Sequence, residues 1–112
     1  MESILTSIKK MLGIEKDYTQ FDPELIVFIN SVFGILFQLG VGRDHKYQFA
    51  ISGYDEEWED FIDVNEIETV KSYIYMKVKL LFDPPTSSTV MSSYQELIKE
   101  FEWRCNVATE TP

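Results

Sequence analysis

The chain has 112 residues, with 10 Lys and Arg against 19 Asp and Glu, a formal net charge of −9; that length fits one domain, 1–112, with one modest core. A hydrophobic content of 45% argues against an acidic disordered tail. The basic residues are dispersed, with no run beyond Lys9–Lys10, which argues against a general nucleic-acid binder and against a polybasic membrane anchor.

The single cysteine, Cys105, excludes an intrachain disulfide and a multi-cysteine zinc site, and fits a reducing cytosol. Residues Met1 to Lys10 run acidic first and basic later, the reverse of an export signal. The most apolar stretch, Leu25 to Leu39, holds Asn30, Ser31, Gly34 and Gln38 and is too short to span a bilayer.

Four helical segments and an irregular middle region cover the chain, so the expected fold is an all-α bundle of about four main helices. A short extended tongue or hairpin and a short helix interrupt it in the middle. The first helix is expected over Ser3 to Leu12, where Ile4, Leu5, Ile8, Met11 and Leu12 share one face and Gly13 supplies the stop. The second opens at Asp22-Pro23-Glu24, with Asp22 as the expected cap and Pro23 in the first turn. It continues to Leu39 with only a narrow polar strip, the pattern of a helix enclosed by other helices.

From Arg43 to Asp63 the pattern is irregular. Tyr47, Phe49 and Ile51 alternate with polar or small residues, as in a short strand or extended tongue. The acidic run Asp55 to Asp60 encloses Trp58, which with Phe61 and Ile62 makes a short amphipathic turn of helix. The third helix is expected over Val64 to Phe82, capped by Asp63 or Asn65, with Ile67, Val70, Ile74, Val78 and Leu81 as its apolar stripe. Asp83-Pro84-Pro85 stops it. The fourth runs from Ser87 or Ser88 to about Val107, with Val90, Tyr94, Leu97, Ile98, Phe101 and Cys105 facing inward and 108–112 as a polar, mobile tail.

No catalytic, cofactor-binding or metal-binding residue emerges. His45 beside Asp44 is either a general base oriented by a carboxylate or an exposed loop histidine. Cys105 lies on the apolar face of its helix, the setting of an inert thiol. The run Asp55 to Asp60 lacks the alternating ligands and central glycine of a calcium loop and reads as a solvated acidic face. Phosphate-loop, dinucleotide, nucleophile-elbow and zinc-protease motifs are not found.

The aromatic cluster carries more. Tyr47, Phe49, Tyr54, Trp58 and Phe61 fall within fifteen positions. Two readings stand side by side: these residues cap a small core, or some of them, with Ile51, contact a neighbouring subunit.

In order and spacing, several segments resemble the head–tail connector, or adaptor, proteins of long-tailed bacteriophages and of prophages in Gram-positive bacteria. They are Ile8 to Ile14, Tyr18 to Asp22, Ile29 to Phe33, Gln38 to Gly42, Trp58 to Ile62, the block Val70 to Ser88 and Glu102-Trp103-Arg104. The resemblance covers Ile4 to Val107. It implies a structural virion protein without catalytic residues, located at the capsid vertex after assembly in the host cytoplasm. Such a subunit forms a ring of about a dozen copies beneath the portal, extends the DNA channel without sequence-specific DNA binding, and carries a stopper or tail-completion protein. The tongue from Tyr47 to Trp58 is then expected to touch a neighbouring subunit or the portal. Two other classes compete: an acidic DNA-mimic inhibitor of a DNA-processing enzyme, and a small enzyme using Asp44, His45 and the acidic loop.

Overall fold

A serine hydroxyl starts the first helix. In the computed structural model, which describes residues 3–41 and 50–110 with side chains through residue 105, Ser3 accepts the Thr6 backbone N–H at 3.1 Å and opens α1 (Ile4–Leu12). Gly13, at φ 80°, closes it: its N–H reaches the Lys10 carbonyl and that of Ile14 the Lys9 carbonyl. Both the positive φ and the capping bonds are those of a left-handed C-terminal turn. Ile4, Leu5 and Ile8 are fully buried, while Met11, at the edge of the face, is 38% exposed.

The second helix, α2 (Asp22–Gln38), is followed by Gly40 at φ 95°. Asp22 does not cap it. Phe21 holds the cap position without a side-chain hydrogen bond, and Pro23 sits in the first turn. Asp22 is instead drawn to a buried cation, described below. Leu25, Ile29, Val32, Phe33 and Leu36 are buried, but Val27 is 60% exposed, so α2 is enclosed over much of its circumference and open along one line.

Two tethers hold residues 50–62 against the bundle. Asn30 of α2 donates to the Ile51 carbonyl at 2.9 Å and accepts its N–H at 2.8 Å, an amide standing in for a neighbouring strand. The Ile4 N–H reaches the Glu56 carbonyl at 2.9 Å, beside an isolated antiparallel bridge between Ser3 and Glu57. No strand occurs among the described residues. A single 3-10 turn, Trp58–Asp60, follows and forms the short helix expected around Trp58.

α3 (Ile67–Phe82) begins three residues later than the apolar pattern indicated. Asp63 spends its carboxylate on the Asn65 N–H, 2.9 Å away, stabilising a local turn rather than capping the helix. Glu66 occupies the cap position without a side-chain bond. Ile67, Val70, Ile74 and Val78 are buried as the spacing indicates, and Tyr73 joins them. Leu81 does not: it is 55% exposed. At this end of α3 Phe82 turns in instead, its ring edge-on to Phe21 at 5.1 Å.

After Asp83-Pro84-Pro85 the chain enters α4 (Ser88–Glu110), which extends three residues past the expected end. Of the six residues expected to face inward, Ile98 is buried and Tyr94, Phe101 and Cys105 are half-buried; Val90 and Leu97 are exposed. Their exposure has a simple cause. α4 packs chiefly on α3, while α3 also packs on α1 and α2. A helix with one neighbour buries a narrower stripe than one inside a bundle. The thin dimension of the molecule, 21 Å, is about two helix diameters. No helix among the described residues is long and apolar enough to cross a membrane.

Candidate interaction surface

Two features organise the molecule: a buried charged junction that fixes the loops at one end, and an open apolar flank along α4. The junction centres on Lys9, whose side chain has no solvent exposure. Its ammonium donates to the carbonyls of Lys16 at 3.1 Å and Tyr18 at 2.7 Å and to the Tyr54 hydroxyl at 2.8 Å. Those three bonds use its three protons. Asp22 Oδ1 lies 3.0 Å away as the counter-ion, and Asp22 Oδ2 accepts the Tyr54 hydroxyl. Burial pulls the Lys9 ammonium down, but the bonds to Tyr54 and Asp22 outweigh it and hold its pKa above the ordinary lysine value of 10.5. One cation thus joins the end of α1, the loop after it, the start of α2 and the 50–57 segment.

Trp58 forms a second anchor. It is 3% exposed, and its indole N–H donates to the Ser7 hydroxyl at 3.0 Å. The Lys71 ammonium lies 5.6 Å from its ring centroid, within cation–π range.

The acidic run around Trp58 is partly consumed by the backbone. Asp60 accepts the Glu57 N–H at 2.8 Å, closing a capping box with the Glu57 side chain. Glu56 accepts both the N–H and the hydroxyl of Ser52, at 3.1 and 2.9 Å. Desolvation pushes the Glu56 carboxyl up, but the Ser52 bonds prevail and keep it below the usual value. The sequence pattern reads as a solvated face; part of it is a set of caps. Among the described residues no group of three or more His, Cys, Asp or Glu is arranged to hold a metal.

The structure separates the six aromatic and aliphatic residues singled out in the sequence. Ile51 and Trp58 lie in the subunit's own core, and Phe61 is half-buried against it, edge-on to Phe33 at 6.1 Å. Tyr54 is 41% exposed while its hydroxyl is tied into the Lys9 junction. Tyr47 and Phe49 lie outside the described residues, as do Asp44 and His45.

Sequence reasoning missed Lys9 and the flank of α4. Lys9 had a signal: it falls four residues after Leu5 and three before Leu12, on the buried face. On α4, Tyr73 of α3 stacks on Phe101, centroids 4.4 Å apart, and donates to Glu102 at 2.7 Å. Desolvation, with Glu102 second, raises the Tyr73 phenol far above its usual range. Tyr75 meets the Tyr94 hydroxyl at 3.3 Å. Beside these latches Tyr73 and Met76 of α3 and Leu97 and Phe101 of α4 line a groove of about 390 Å³, with Glu100 and Arg104 on its rim. Leu97 is 52% exposed and Trp103, further round the same helix, 64%.

A family model described as phage connector protein matches residues 4–112. No curated protein and no solved structure matches the chain.

Proposed function

We propose that this chain, which belongs to the phage connector protein family, is the ring-forming subunit that docks beneath the portal and extends the DNA channel at the head–tail junction. Structural head–tail connection is the role of that family, and a small all-helical subunit is suited to it. The observation that carries the ring reading is the family match over 4–112, joined to the large apolar residues that one copy leaves in water: Val27, Leu81, Leu97 and Trp103. Copies around a closed ring meet through two different surfaces of the same chain, so each subunit needs more apolar surface than its core consumes.

The charge supports passage of DNA. A ring of about a dozen copies at −9 would hold on the order of a hundred negative charges, and an acidic lumen repels phosphates instead of binding them. A stopper or tail-completion protein would seat on the face away from the portal. The neck of the virion is then the site of action, and the tongue that begins at Tyr47 a candidate contact with the portal or the next subunit through Tyr54, 41% exposed, since Ile51 and Trp58 are buried in the subunit's own core.

Electron microscopy of the purified chain with and without its portal tests this reading. Closed rings on the portal support it; single copies at every concentration overturn it. Salt-sensitive binding of duplex DNA by the rings would overturn the account of the channel. Tight binding to a DNA-processing enzyme would favour the DNA-mimic alternative.

A further inference from the structure

α4 is the helix held by the least burial. Of its described side chains only Ile98 is buried, whereas α1 buries five in nine residues. α4 packs chiefly on α3, while α1, α2 and α3 each pack on one another. A groove of about 390 Å³ beside the Tyr73–Phe101 stack leaves the seam incompletely filled. The polar ties across the seam converge on few atoms. The Tyr73 hydroxyl donates to Glu102 at 2.7 Å, the Lys77 ammonium lies 3.8 Å from the same carboxylate oxygen, and the Tyr75 and Tyr94 hydroxyls meet at 3.3 Å. Each helix also closes its own end. At the end of α3 the Asp83 N–H reaches the Lys79 carbonyl and the Lys79 ammonium the Asp83 carboxylate, 2.9 Å away. At the start of α4 the Ser87 hydroxyl accepts the Val90 N–H at 3.3 Å and the Ser87 carbonyl that of Met91. Parting the two helices leaves these terminal groups paired.

We propose that α4 is a hinged cover with the Tyr73–Glu102 bond as its catch: it lifts from α3 as a unit about residues 83–87 while α1, α2, α3 and the 50–62 segment stay folded. The Lys9 junction, the Asn30 strap and the Trp58–Ser7 bond tie that remainder together, and none of them passes through α4. Opening free energies within one protein range from near zero up to the full unfolding value, and elements with few buried contacts lie at the low end. Lifting breaks the bond to Glu102 and uncovers one face of the Tyr73 ring, which is fully buried when α4 is seated. An apolar side of α3 is thus hidden in the closed form and offered only in the open one. Opening needs no second copy and is independent of the ring reading.

Native-state hydrogen exchange, read by mass spectrometry on the full chain at high dilution, tests this. A released α4 is a lone helix in water and loses most of its protection. Its amides should therefore exchange on the order of 100-fold faster than those of Val70 to Val78 in α3, with a shallower urea dependence because less surface opens. Tyr73→Phe keeps the ring stack and removes the bond to Glu102, and should speed exchange in α4 about tenfold. Ile29→Ala weakens α2, away from the seam of α4. It should speed exchange in α1 to α3 about 30-fold or more while α4 keeps its wild-type rate; Asn30→Ala repeats that test with a milder loss. If α4 and α3 exchange at one rate, or if either α2 variant accelerates α4 as much as α3, the hinged cover is overturned, since α4 then opens only with the whole fold. Unchanged α4 exchange in Tyr73→Phe overturns the catch.

Discussion

Replacing Lys9 with methionine tests the buried junction directly. The substitution keeps an unbranched side chain of similar length and removes the ammonium. Three acceptors lose their donor: the carbonyls of Lys16 and Tyr18 and the Tyr54 hydroxyl. The Asp22 carboxylate, only 13% exposed, loses its counter-ion at 3.0 Å. Removing one partner of a buried pair costs about 3–5 kcal/mol. The residual exposure of Asp22 lets water return on one side, which places the expected loss at the lower end, about 3 kcal/mol. For a domain of roughly this size that lowers the unfolding midpoint by about 12–15 °C. Circular dichroism during heating, with urea titration as a second measure, reads the change; the urea midpoint should fall while the slope holds. The pH dependence adds a check. The folded pKa of Lys9 lies above the ordinary 10.5, so its contribution is complete below that value and is lost only as pH rises through the folded one. The gap between wild type and variant should therefore stay constant between about pH 6 and 9 and narrow in stronger alkali. A variant within about 1 kcal/mol of wild type, or a gap that changes across neutral pH, would refute the reasoning.

Asn30→Ala removes both bonds to the Ile51 backbone and should cost about 2 kcal/mol, with faster amide exchange at Ile51 by mass spectrometry; unaltered exchange there would show that the strap holds without it. Trp58→Phe keeps most of the packing but loses the bond to Ser7, about 1 kcal/mol. Trp58→Ala empties a core site and should cost about 3–5 kcal/mol, so lost assembly in that variant reports on the fold, a point checked by its near-ultraviolet circular dichroism. Glu56→Gln should cost on the order of 1 kcal/mol at neutral pH. Because the Glu56 carboxyl titrates below its ordinary 4.5, its contribution is present above that value and lost as pH falls through the lower folded one; acid titration of the two proteins should show the gap closing there.

The helices were readable wherever a period and a terminator agreed. Ile4, Leu5 and Ile8 with Gly13, and Ile67 to Val78 with Asp83-Pro84, each combine an apolar face with a stop, and both elements appear. The caps of α2 and α3 were less legible than the start of α2, because Asp22 and Asp63 have the right chemistry for caps and other claims on their oxygens. A capping residue advertises an acceptor, and only the tertiary structure decides which donor reaches it: Lys9 and Tyr54 for one, the Asn65 N–H for the other. The inward face of α4 was only partly legible. Its spacing holds for Ile98 and Phe101, but how wide a stripe is covered depends on how many neighbours a helix has, and no periodicity records that. Lys9 was overlooked because a charge normally marks the solvent side, although its position between Leu5 and Leu12 pointed inward. As for the candidate site, composition showed that apolar surface was in excess; which residues remain exposed needed the packing of α3 against α4.

The Asn30 strap has a practical outcome for engineering. Residue 41 is fixed by its N–H on the Leu36 carbonyl, 2.9 Å away, and residue 51 by the Asn30 amide, so the bundle itself holds both positions. A tag inserted between these two positions would therefore begin and end on anchored backbone.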